Sequence, residues 1–192
     1  MRPLEKPLLA IALTSTVLGS VWLEIVAQHR ALRRALEELG DLFGRDRESF
    51  HLYMGVVVDF LKRVHAPLED ELVFPKLAEA CVDASSERLD VANTLSRLSA
   101  DHKLLLTLGN TITERGKAFD EDILRERFEQ FGKILLEHNE KEEELYNTVL
   151  KVCGEGRVDS ALHASEEAQR VIEAYGVERY REFMRQTKES EG

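Results

Sequence analysis

His65-Ala66-Pro67-Leu68-Glu69 and His138-Asn139-Glu140-Lys141-Glu142 begin on the same residue type, end on the same residue type, and lie 73 positions apart. Each is preceded 36 residues upstream by another histidine, His29 for the first and His102 for the second. The chain therefore writes His, then His-x-x-x-Glu, twice with one displacement. It has only six histidines, and four of them held in a repeated frame mark an internally duplicated scaffold built round a metal site.

Working outward from these residues, the hydrophobic period is helical throughout. Proline is absent between Pro7 and Pro67, and apolar residues recur at three and four, so a first helix is predicted from about Leu8 to Leu39, stopping at Gly40. Gly40 to Asp46 reads as the first turn. A second helix, Arg47 to Ala80, carries Val57, Val58, Leu61, Val64, Leu68 and Leu72 inward, and Pro67 should kink it without ending it. Ser85 and Ser86 offer caps for a third helix reaching Arg115, with Val91, Leu95, Leu98, Leu105, Leu106 and Ile112 buried and Gly116 at its end. Asp120 caps a fourth, which includes Ile123, Leu124, Phe128, Phe131, Ile134, Leu135, Leu145 and Val149 and is closed by the Gly154-Glu155-Gly156 break.

Short connections between long helices force antiparallel neighbours, so the expected fold is all-α, an up-down-up-down four-helix bundle with an additional C-terminal helical segment. No strand pattern of useful length competes. The expected organisation is an apolar N-terminal extension over 1–21, continuous with the first helix, a bundle over 22–153, and a helical tail over 154–192. In the tail, Val171, Ile172, Tyr175, Tyr180, Phe183 and Met184 form a packing face that should cover the bundle.

On these helices a His and a Glu four residues apart share a face, with Cβ atoms about 5–6 Å apart. His65 lies on the stripe of Val58, Leu61, Leu68 and Leu72, and His138 on that of Ile134, Leu135 and Leu145. His29 falls between Ile25 and Leu32, and His102 between Leu98 and Leu105. All four imidazoles aim at the bundle axis. Two carboxylates and four imidazoles buried together are costly unless compensated, and a pair of divalent cations compensates directly. The candidate metal ligands are His29, His65, Glu69, His102, His138 and Glu142, with Glu143 a rival to Glu142. Asp70, Glu71, Glu140, Glu143 and Glu144 read as a solvated face or as residues that orient the imidazoles from outside. His51 and His163 fall outside the frame; His51 is about 21 Å along the helix from His65.

Composition bounds the rest. The chain has 192 residues, 43% hydrophobic and 32% charged, which is ordinary globular usage. A formal charge of −10 leaves no concentrated basic surface for phosphate, so no nucleic-acid partner is expected. Cys81 and Cys153, 72 residues apart, read as reduced thiols at matching helix ends. Leu8 to Ala27 is apolar enough to resemble a signal or anchor, but Thr14, Ser15, Thr16, Ser20 and Glu24 interrupt it, and one helical face runs through it to Leu36. A cytoplasmic protein is expected, with anchoring or export through residues 8–27 the alternative and the only route to a membrane.

The run His65-Ala66-Pro67-Leu68-Glu69-Asp70-Glu71-Leu72-Val73-Phe74-Pro75 resembles the second-helix signature of the hemerythrin-like proteins with the HHE cation-binding domain. His138 to Tyr146 resembles the corresponding stretch of their fourth helix, and His29 and His102 fall where their first and third helices each supply one histidine. There are departures. Ala66 stands where many relatives have a second adjacent histidine, and Asn147 where a proline is common. Leu106 follows His102 where the oxygen carriers place a further histidine, which removes one of their five nitrogen ligands.

The resemblance implies a non-haem di-iron centre, two iron ions bridged by Glu69 and Glu142 with two histidines on each; the ligand set also suits manganese or zinc, ranked behind iron. It implies a protein that binds or senses oxygen, nitric oxide or iron and redox state, its partner a small diatomic ligand or peroxide. The alternatives are a di-iron oxidoreductase acting on peroxide or nitric oxide, an iron donor for iron–sulfur cluster repair, or a metal-free structural bundle. Nothing in the residues names a protein partner.

Overall fold

Asp46 makes the first corner of the bundle almost alone. Its extended backbone breaks the helix, and its carboxylate accepts from the backbone N–H groups of Glu48 and Ser49, satisfying donors that a helix start leaves bare. Helix α1 (Val21–Arg45) enters this corner and α2 (Arg47–Phe60) leaves it. The computed structural model describes residues 21–80, 87–153 and 166–186.

The helical path from α2 continues through a π turn at Leu61–His65, a second at Leu68–Val73, and α3 (Phe74–Ala80). Helix α4 (Glu87–Arg115) returns, a short 3-10 turn at Gly116–Ala118 follows, and α5 (Glu121–Cys153) completes an up-down-up-down bundle. The C-terminal pair α6 (Glu166–Tyr175) and α7 (Val177–Gln186) turns at Gly176, whose φ of +105° suits glycine, and packs on α1 and the π turns.

Two expectations change. The first helix does not stop at Gly40; it runs through Gly40 and Gly44 to Arg45. Phe43 supplies the reason, since its ring meets Phe50 edge-on and stacks on Phe128, so tertiary packing carries the helix past two residues of poor helix propensity. In the first turn of α5, Ile123 is exposed and Leu124 turns inward. Pro67 does more than kink its helix. Lacking an N–H, it gives no bond to Arg63, and the ladder shifts around it to five-residue spacing, with Ala66 N–H donating to Leu61 and Phe74 N–H to Glu69.

The remaining inner positions are buried or half-buried as read, including the tail face. The start of the first helix, the Ser85 and Ser86 caps, Cys81, the Gly154–Gly156 break and His163 lie outside the described residues. Among the described residues no helix is long and apolar enough to cross a membrane.

The tightest helix approach is at Gly109 of α4. A Cβ there would fall 2.6 Å from Val58 Cγ2 of α2 and 3.3 Å from the Phe131 ring of α5. Val58 is branched at Cβ and has little rotamer freedom in a helix, so it has no easy way to yield. Gly109→Ala should therefore lower stability by about 1–3 kcal/mol despite alanine's better helix propensity. Denaturant unfolding checks this, and an unchanged or raised midpoint would show that α2 and α4 are less tightly apposed than described.

Candidate metal centre

Glu69 lies among all four framed histidines. Its carboxylate oxygens are 3.4 Å from His29 Nε2, 3.4 Å from His65 Nε2, 2.9 Å from His102 Nε2 and 3.7 Å from His138 Nε2. Glu142 Oε2 adds approaches of 3.1 Å to His29 Nε2 and 3.4 Å to His138 Nε2. All six side chains are inaccessible: His29, His65, Glu69 and His138 are 0% exposed, His102 2% and Glu142 3%.

The donors fall into two groups of four, each with its ligand atoms within 4.8 Å of one another: His65, Glu69, His102 and His138, and His29, His65, Glu69 and Glu142. His65 and Glu69 belong to both groups. The π turns place this shared pair, since His65 ends the first and Glu69 is the second residue of the second. Pi-type bulges interrupt helices at functional sites often enough that this placement is itself informative.

Three of the four imidazoles have a hydrogen-bonding partner on the outer nitrogen, and the fourth, His138, faces a carboxylate beyond hydrogen-bond reach and has no partner there. His29 Nδ1 lies 3.0 Å from Glu143 Oε1, which Arg33 also reaches at 3.1 Å. His65 Nδ1 lies 3.2 Å from Gln28 Oε1. His102 Nδ1 lies 3.1 Å from Asp70 Oδ2, and the other oxygen of Asp70 accepts from Ser99 Oγ. His138 Nδ1 faces Asp101 Oδ2 at 3.9 Å. An acceptor on Nδ1 keeps the proton there and leaves the Nε2 lone pair pointing inward, the usual support of a metal-bound histidine. The Phe74 ring stacks parallel to His102, and Trp22 meets His29 edge-on.

Glu142 thus enters the cluster while Glu143 works from outside it. Asp70 and Glu143 orient imidazoles, as the sequence allowed. Gln28, Arg33, Ser99 and Asp101 were not singled out, yet the signal was present: Gln28 and Asp101 are 73 residues apart, and so are Asp70 and Glu143. The duplication covers the supporting residues as well as the inner six. His51 stays apart; its ring packs against Gly116, where a Cβ would fall 2.6 Å from Cε1, and it borders a cavity with Arg47, Glu48 and Lys117.

His29 Nε2 is within hydrogen-bond distance of Glu69 Oε1 and Glu142 Oε2, but most other inner atoms have no such partner. The Nε2 atoms of His65, His102 and His138, with Glu69 Oε2 and Glu142 Oε1, are buried and without a hydrogen-bond partner. His102 Nε2 and Glu69 Oε2 are close but misaligned for a hydrogen bond, as expected of atoms that face a common point. Burial holds His65 well below the ordinary imidazole range. Burial, with the Glu69 charge beside it, pushes the Glu142 carboxyl up to about 7. Burial also opposes the charge on Glu69, but the surrounding histidines hold its carboxyl well below the usual range. Divalent cations would relieve the first two strains and keep the third ionised.

An all-α bundle with two buried, overlapping His/Glu clusters defines the class of helical-bundle proteins with paired-metal carboxylate sites, and the clusters are consistent with a di-iron centre. The hemerythrin HHE cation-binding domain matches residues 22–150, and the chain belongs to that family. Comparison with curated proteins and with solved structures gives no match.

Because the buried donors lack partners, adding two equivalents of iron(II) to metal-free protein without air should raise the thermal midpoint, by the equivalent of about 2.7 kcal/mol at a hundredfold excess of free metal over Kd. Calorimetry checks this. A midpoint indifferent to metal would mean that the cluster is satisfied without one.

Proposed function

We propose that His29, His65, Glu69, His102, His138 and Glu142 hold two iron ions, and that the protein binds or senses a small ligand, oxygen or nitric oxide, or the redox state of the cell. The observation that carries this reading is the overlap of the two donor groups at His65 and Glu69, since a carboxylate common to both can bridge neighbouring cations. Glu142, 3.1 Å from His29 and 3.4 Å from His138, would complete the second group and supply a further compensating charge. Such a pair supplies a redox couple and a coordination position for a diatomic ligand. The residues' part is to fix Nε2 of each histidine toward the metals, to carry the compensating charge on two carboxylates, and to exclude water.

Closure favours binding over the alternatives. With no ligand side chain more than 3% exposed, a substrate of more than a few atoms reaches the cluster only if helices part. An iron donor needs ligands that open to an acceptor, and these six are buried in the core. Peroxide is small enough to enter, so a peroxide- or nitric-oxide-consuming oxidoreductase is the second reading.

Reduced, iron-loaded protein exposed to nitric oxide should show new visible absorption that reverses when the gas is removed, with no sustained consumption of peroxide. Sustained peroxide or nitric oxide turnover would replace the binding reading with the enzymatic one. For the ligands, His65→Ala, Glu69→Ala and His138→Ala should each lower metal content below two per chain and depress the thermal midpoint together. Two metals retained in any of these variants would remove that residue from the site.

A further inference from the structure

The C-terminal pair α6 and α7 lies beyond the residues matched by the family, yet it reaches the metal ligands through one fully buried side chain. Gln28 Nε2 donates to Tyr180 Oη at 3.3 Å, and Gln28 Oε1 is the acceptor 3.2 Å from His65 Nδ1. The contact with α7 is anchored beside the ligand. Phe60, the residue before the first π turn, stacks on Phe183 at 4.0 Å between ring centres and lies 6.0 Å from both Tyr180 and Tyr175. Arg179 pairs with Asp59 at 2.8 Å, and Arg63, within that π turn, donates to the Ala174 carbonyl.

The repeat shows why an outside partner is needed here. At the duplicated position Asp101 faces His138, and a carboxylate accepts whichever way it is turned. Gln28 is an amide. Turned one way it offers oxygen to His65 Nδ1; turned the other it offers N–H, and His65 must then protonate Nε2, the nitrogen aimed at the metals. The Tyr180 hydroxyl accepts from Gln28 Nε2 on the far side, and this bond holds the side chain where its oxygen meets His65 Nδ1; a hydroxyl both donates and accepts, so it anchors the amide without choosing its face.

We propose that Tyr180 is a positioning residue of the metal centre, holding the Gln28 amide so that His65 keeps its Nε2 lone pair in the cluster, which makes the C-terminal helical pair part of the site. This rests on the assignment of His65 as a ligand. By linkage, loss of the Tyr180 contact weakens metal binding, and metal binding tightens the seating of α7.

The test uses the full chain with cobalt(II) as probe metal, comparing affinity and visible spectrum. Tyr180→Phe, which removes only the hydroxyl, should weaken cobalt(II) binding about tenfold, the lower end of the effect of removing a partner that orients a ligand, and shift the spectrum. Phe183→Leu, which loosens the same helix without touching the hydrogen bonds, should lower the thermal midpoint and leave the spectrum in place. Wild-type affinity and spectrum in Tyr180→Phe, alongside lost binding in His65→Ala, would overturn the proposal and keep the site. An equal spectral shift in Phe183→Leu would overturn it too, because packing alone would then be acting. Full cobalt(II) binding by His65→Ala would instead overturn the ligand assignment beneath it.

Discussion

The carboxylate of Glu69, fully buried and within 3.7 Å of four imidazole nitrogens, is the constraint that organises the bundle. A charge removed from water costs several kcal/mol unless paired and bonded. It is tolerated here because each of the helices α1, α4 and α5 sends a histidine to meet it and the first π turn sends a fourth. The hydrophobic positions on either side, Leu32 and Leu36 on α1, Leu98 and Leu105 on α4, and Leu135 on α5, close over that meeting point and exclude the water that would otherwise screen it. Helix register in this bundle is thus set twice, by apolar stripes that allow several sliding positions and by a polar centre that allows one.

Most of the centre could be read from the chain because its geometry is local to single helices. His65 and Glu69, like His138 and Glu142, owe their common face to a four-residue interval, and scarcity of histidine made the repeat conspicuous. The supporting contacts join different helices, Gln28 to His65 and Asp70 to His102, and no periodicity within one helix reports them. The end of α1 was misread for a related reason. Gly40 weakens a helix locally, but Phe43 gains contacts with Phe50 and Phe128 that only the folded bundle provides. For the tail, the packing face was legible and its target was not.

The two halves are alike in what they offer a metal and unlike in what holds it. Asp101, half-exposed, supports His138 with a charge, whereas Gln28, fully buried, supports His65 with a neutral amide and draws on Tyr180. A second buried carboxylate at position 28 would add an unneeded charge beside Glu69 and Glu142. The amide avoids that cost but must be held in place, and the C-terminal pair covers the half where that anchor is required.

The prolines have a further consequence. Pro67 and Pro75 leave the carbonyls of Arg63 and Glu71 without their usual helical donors, while α5 carries its ligands on an uninterrupted ladder of 33 residues. Each missing bond removes about 1 kcal/mol of local restraint. The duplicated His and Glu pairs are therefore mounted on unlike backbones, one re-registered around prolines and one a continuous α-helix.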